Sequence, residues 1–117
     1  MKHLYKILCE ENQKAAKYFQ NYLFYAKEIK KMAKEMLPDA KLFIFGSLLQ
    51  QESAPGSDID ILIISSQIPT DLFAQAKIKV SIKTKFPDSP FELHLVTSQQ
   101  YENWYKGFIK KNYPEIN

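Results

Sequence analysis

From Ala15 to Met36, apolar residues return every three or four positions: Tyr18, Tyr22, Tyr25, Ile29, Met32 and Met36. Phe19, Leu23, Ala26 and Ala33 widen the stripe on one side, and Lys and Glu fill the rest. This is the beat of a helix with one apolar face. Proline disfavours helical geometry in the residue before it, so Leu37-Pro38 predicts the end of one long helix. The same spacing resembles a heptad seam, in which two helices pair. Packing of the stripe on a sheet of the same chain is the preferred reading.

Beyond Pro38 the beat changes. Lys41-Leu42-Phe43-Ile44-Phe45 is a short run of strand formers that stops at Gly46-Ser47. Ala54-Pro55-Gly56-Ser57 is a turn by composition. Asp58-Ile59-Asp60-Ile61-Leu62-Ile63-Ile64 then reads as a buried strand that opens on two carboxylates. Pro69-Thr70-Asp71 signals a helix start before Leu72, Phe73, Ala76, Val80 and Ile82. Pro87-Asp88-Ser89-Pro90 breaks the chain, and Phe91-Glu92-Leu93-His94-Leu95-Val96 is a third strand. Thr97 with Gln100 fits a capping box for a last helix through Trp104 and Phe108, fading before Pro114. The order predicts an α+β fold in a single domain, residues 1–117. It divides into an N-terminal helical segment (1–37), a core (41–97) and a C-terminal helix (98–113). No repeat or low-complexity tract interrupts it.

Composition narrows the class. The chain has 117 residues, 45% hydrophobic and 25% charged, which suits one packed core and argues against disorder. The net charge of +3 is mild, so the basic cluster Lys106, Lys110 and Lys111 beside Tyr113 is no nucleic-acid footprint, and nucleic acid is not an expected partner. One cysteine, Cys9, excludes an internal disulfide framework and a Cys-rich zinc site, and favours a reducing compartment. No apolar run approaches the roughly 18–20 residues of a membrane span, and Met1-Lys2-His3-Leu4 leads into a charged segment. The expectation is a cytoplasmic protein with no membrane partner.

The candidate chemistry lies in three places. Strand side chains alternate between faces, so Asp58 and Asp60 share one. Two carboxylates so close repel unless a cation sits between them, and a hard divalent ion such as Mg²⁺ suits such an oxygen site. Gly46-Ser47 follows directly on a strand, where glycine permits close backbone approach and N–H groups with a hydroxyl can cradle phosphate. Glycine turns and serine caps are also common without a ligand. Glu92 interrupts an apolar strand, while Phe91 and Leu93 face the other side. An unpartnered buried carboxylate is costly, so Glu92 should sit at an edge, pair with a cation or join a metal cluster. His94 shares its face and is placed to orient Glu92 or contact a nucleotide. The plainer reading is that it fills a half-buried slot.

Phe45-Gly46-Ser47, followed by Ser57-Asp58-Ile59-Asp60-Ile61-Leu62, resembles the signature of the DNA polymerase β-type nucleotidyltransferases. More narrowly, the stretch from Phe43 to Val96 is similar to the minimal nucleotidyltransferases and to the catalytic half of kanamycin nucleotidyltransferase. The resemblance implies a small mixed sheet packed on helices. It implies that Gly46, Ser47 and Ser57 bind nucleotide phosphates. Asp58, Asp60 and Glu92 would hold two Mg²⁺ (or Mn²⁺) ions, with Glu92 also helping to deprotonate the attacking hydroxyl. The substrate would be ATP, giving AMP on an acceptor. Many relatives carry an arginine shortly after the serine; here Leu48-Leu49-Gln50-Gln51-Glu52 has no basic residue. Lys77, Lys83 and Lys85 are candidate replacements, with a solvated helix face the plainer role. Minimal members often pair with a small helical protein of the HEPN type, as antitoxin to its toxin, and some modify the partner's tyrosine with AMP. Such a partner, or a homo-oligomer, would supply the acceptor that so short a chain lacks. The N-terminal helix and Trp104-Tyr105-Lys106-Gly107-Phe108 are candidate docking surfaces. The alternative is an inactive nucleotidyltransferase fold that neutralises its partner by binding alone.

Overall fold

Asn21 divides the N-terminal helix in two. In the computed structural model, which describes residues 14–45, 58–105 and 115–117, residues 14–20 are helical (α1) and α2 runs Tyr22–Met36. Between them Asn21 has φ −121° and ψ 33°. Its side-chain amide donates to the Lys17 carbonyl at 3.0 Å, beside its own backbone N–H at 3.1 Å. Such local side-chain bonds compete with the helical ladder, which is why asparagine suits helix ends better than interiors. Apolar periodicity does not register this break. The predicted end is in place: α2 stops at Met36, and the Leu37 N–H donates to the Ala33 carbonyl at 2.7 Å.

The buried line of α2 runs through Ala26, Ile29 and Ala33 and continues to Leu37, with Tyr22, Tyr25 and Met32 flanking it. Leu23 and Met36, expected in the stripe, face solvent. The line packs against the sheet of its own chain.

That sheet has four strands in the order β3-β2-β1-β4. β1 (Lys41–Phe45) and β2 (Ile59–Ser65) are antiparallel, with Phe43 opposite Leu62 and Phe45 opposite Asp60. β3 (Phe91–Thr97) runs parallel to β2, joined through α3 (Leu72–Lys83). β4 (Glu115–Ile116) closes the other edge against Leu42 and Phe43. Two residues after a proline carry no strand periodicity, so β4 leaves no trace in the sequence pattern. Ile116 is buried, and the Lys30 ammonium donates to its carbonyl at 2.7 Å.

Alternation gives the sheet two unlike faces. Leu42, Ile44, Ile59, Ile61, Ile63, Phe91 and Leu93 form the main core with α2 and with Ile78 and Ile82 of α3. The opposite face carries a smaller apolar cluster, Phe43, Leu62, Ile64 and Val96, with Tyr101 stacked on Phe43 at 5.7 Å. This is the expected α+β mixed sheet packed on helices.

Both predicted caps are present. The Asp71 carboxylate accepts from the Phe73 and Ala74 N–H groups at 3.3 and 3.2 Å. Thr97 and Gln100 exchange bonds of 3.0 and 2.9 Å in a capping box. The helix it starts, α4 (Ser98–Gln100), widens at once into a π-helical turn, Tyr101–Tyr105. The predicted continuation through Phe108 lies outside the described residues. Among those residues no helix is long and apolar enough to cross a membrane.

Asp39, between α2 and β1, fastens the far end of β2. Its carboxylate accepts from the Ser65 and Ser66 hydroxyls and from the Ser66 N–H at 2.8 Å. These bonds, the Ser65 hydroxyl foremost, hold the carboxyl down to about 2, against an ordinary 3.8. A lowered carboxylate stabilises the fold fully above its unfolded value and loses that contribution as pH falls through the folded value. Stability should therefore drop between about pH 4 and pH 2. In urea titrations over that range, Asp39→Asn should be less stable at pH 7 and should show a shallower drop. An unchanged pH profile would exclude Asp39 as the cause.

Candidate functional site

β2 and β3 are parallel, so their first residues lie side by side. The Ile59 N–H donates to the Pro90 carbonyl at 2.8 Å, and Asp60 stands opposite Glu92. Both project from the face turned away from α2, because Ile59, Ile61, Phe91 and Leu93 occupy the core face. On the other side of Asp60 is Phe45, after which the chain continues to Gly46 and Ser47. The end of β1 and the starts of β2 and β3, which carry the predicted chemistry, thus meet at one end of the sheet. Gly46, Ser47 and Ser57 themselves lie outside the described residues.

β3 is an edge strand, and Glu92 is exposed on it. This relieves the cost that a buried carboxylate would carry. Asp60, by contrast, is half-buried on a strand otherwise closed to solvent.

His94 makes a contact that sequence spacing did not identify. Its Nε2 lies 3.0 Å from Asp60 Oδ1. Spacing along one strand coupled His94 to Glu92, its same-face neighbour. The β2–β3 register adds a second neighbour, since His94 is diagonal to Asp60, and diagonal partners are within reach of longer side chains. One donor atom each from Asp60, Glu92 and His94 lie within 4.8 Å of one another. Two carboxylates and an imidazole form a donor set that fits a divalent ion. Asp58, exposed just before β2, does not join this group.

Lys83 corrects another expectation. It is not a solvated helix-face lysine. From the last turn of α3 its ammonium donates to the Phe91 carbonyl at 2.6 Å and to the Ser89 carbonyl and hydroxyl at 3.1 and 3.4 Å. Burial lowers its pKa, while the charges of Asp58 and Glu92 oppose that shift. Lys83 therefore ties α3 to the start of β3 and places a positive charge near two of the predicted carboxylates. Lys77, by contrast, lies over the Phe73 ring at 4.7 Å on an exposed stretch of helix. Lys83→Met should cost about 1–2 kcal/mol in urea denaturation, since charge-assisted bonds are lost from a half-exposed site. An unchanged midpoint would show that the tie does not hold β3.

Below the site, aromatic rings fix the same corner. Tyr18, Tyr25, Phe86 and Phe91 pack with ring centroids 4.7–6.3 Å apart, and the Tyr18 hydroxyl donates to the Pro87 carbonyl at 2.8 Å. Asp88, in the same turn, takes φ 62°, a left-handed conformation that Asp tolerates better than most residues. The start of β3 is thus held by rings on one side and by Lys83 beside it.

Known proteins share this fold. The family described as a nucleotidyltransferase domain matches residues 26–113. Among solved structures, one of a candidate nucleotidyltransferase aligns with a TM-score of 0.59 at 35% identity, over 78% of this chain and 96% of its own. A second, a candidate nucleotidyltransferase from Sulfolobus solfataricus, aligns with a TM-score of 0.57 over 87% of this chain and 85% of its own. At 20% identity that likeness speaks for the fold. No curated protein matches the chain.

Proposed function

Since this chain belongs to the nucleotidyltransferase domain family, we propose that it transfers AMP from ATP to an acceptor hydroxyl, with divalent metal held at Asp60 and Glu92. The observation that carries this reading is the placement of those carboxylates side by side at the starts of two parallel strands, with donor atoms close enough to share one ion. A bound Mg²⁺ or Mn²⁺ would supply neutralisation of the triphosphate and acidification of the acceptor hydroxyl. Asp60 is the anchoring ligand, fixed in a rigid central strand. Glu92, on the open edge, is accessible to the acceptor and takes its proton. Asp58 adds a carboxylate at the rim for a second ion, and Gly46, Ser47 and Ser57 are the phosphate-binding candidates.

The acceptor comes from another chain, in this reading a tyrosine of a small helical HEPN-type partner, with this protein as the antitoxin. The support is an exposed apolar stretch on α3: Leu72, Phe73 and Val80 are 77%, 67% and 61% exposed. A second reading, neutralisation by binding without transfer, is favoured by one feature, the lack of a basic residue in Leu48-Leu49-Gln50-Gln51-Glu52. Incubation with labelled ATP, Mg²⁺ and a HEPN-type protein encoded beside this chain separates the two. A labelled partner supports transfer; a stable unlabelled complex overturns it in favour of binding.

A further inference from the structure

An octahedral ion with bonds of about 2.1 Å sets adjacent ligand atoms about 3.0 Å apart. His94 Nε2 and Asp60 Oδ1 already stand at 3.0 Å. With Glu92 they complete a three-atom donor group within 4.8 Å. The His94 ring is held on the site face of the strand, with Leu93 in the core on the other side and Val96 in the small cluster beyond it. An ion on this group would replace the hydrogen bond between His94 and Asp60 with a shared metal.

We propose that His94 is itself a ligand of the catalytic ion, so that the site prefers a borderline divalent ion such as Co²⁺ to Mg²⁺. This deepens the metal-dependent reading above and rests on it. Carboxylates alone suit Mg²⁺; imidazole nitrogen adds little for that hard ion and much for later transition metals. Histidine thus sets which metal is held, while Asp60 and Glu92 set that one is held at all.

The test is calorimetric titration of the full chain with Co²⁺ and with Mg²⁺, for the unaltered protein, His94→Ala, His94→Gln and Asp60→Asn. The unaltered protein should bind Co²⁺ at least about tenfold more tightly than Mg²⁺. Both His94 variants should lose about 10–100-fold in Co²⁺ affinity with little change for Mg²⁺, and Asp60→Asn should weaken both ions. Circular dichroism checks that each variant is folded, and glutamine keeps the bulk of the slot if alanine does not fold. If His94→Gln keeps the Co²⁺ affinity, the histidine acts only through its hydrogen bond to Asp60, and the proposal falls. It falls equally if both His94 variants bind Co²⁺ like the unaltered protein, or if that protein binds no Co²⁺. His94-dependent Co²⁺ binding without any nucleotidyl transfer would uphold the ligand and overturn the transferase reading instead.

Discussion

Asp60→Asn is expected to reduce nucleotidyl transfer on the order of a thousandfold while leaving the fold intact. The substitution keeps the shape of the side chain and removes its charge, so an ion bound as proposed would lose its ligand on the central strand. Metal stabilisation of a charged transition state contributes several kcal/mol, and about 4 kcal/mol corresponds to that factor. The fold should survive because the Asp60 side chain is turned away from the main core, whose neighbouring contacts belong to Ile59 and Ile61. Label transfer from ATP measures the first effect, and thermal unfolding the second. Asp58→Ala should act in the same direction with a smaller loss, since Asp58 stands outside the three-residue donor group. Retention of more than about a tenth of the activity by Asp60→Asn would sink the assignment of this carboxylate, because a lost metal ligand cannot cost so little.

The largest loss of stability should come from the residue beside it. Ile61 is fully buried, and it pairs with Ile44 on one side and Leu93 on the other. It lies in the middle of the sheet, where neighbouring strands have little room to close a void. Ile61→Ala should therefore cost about 2–5 kcal/mol, a large share of the roughly 5–15 kcal/mol that holds a typical domain. At about 4 °C per kcal/mol for a chain of this length, the midpoint of thermal unfolding should fall by about 8–20 °C. Circular dichroism melts check this. A fall of only a degree or two would mean that the site relaxes around the deletion and that the core is not packed on β2.

Much of this architecture was legible in the sequence, and the gaps have physical causes. The first three strands, the cap at Asp71 and the capping box at Thr97 depend on residues close along the chain, so local pattern suffices. Asn21 was missed because apolar spacing reports which face is buried, not whether the backbone ladder is continuous. The buried line passes through Leu37 and not Met36 because the packing surface, which sequence does not show, decides among neighbouring apolar positions. At the site, Asp60 and Glu92 were readable as carboxylates on strands. Their adjacency was implied by the family resemblance alone and not by local pattern, because it depends on the β2–β3 register. The same long-range geometry gives His94 to Asp60 and directs Lys83 to Phe91 and Ser89. Neither residue carries a local signature, since a histidine in a strand and a lysine near a helix end are ordinary sequence.

β3 separates two kinds of selection pressure. Phe91 and Leu93 lie in the core, while Glu92 and His94 lie in the donor group. In the proposed reading, substitutions at Phe91 and Leu93 fall on folding, and those at Glu92 and His94 fall on chemistry. In that reading a lineage would lose catalysis through Glu92 and His94 alone and keep a sound scaffold. A non-catalytic descendant would then be only a few substitutions outside the main core away, and none of them would pass through an unfolded intermediate genotype.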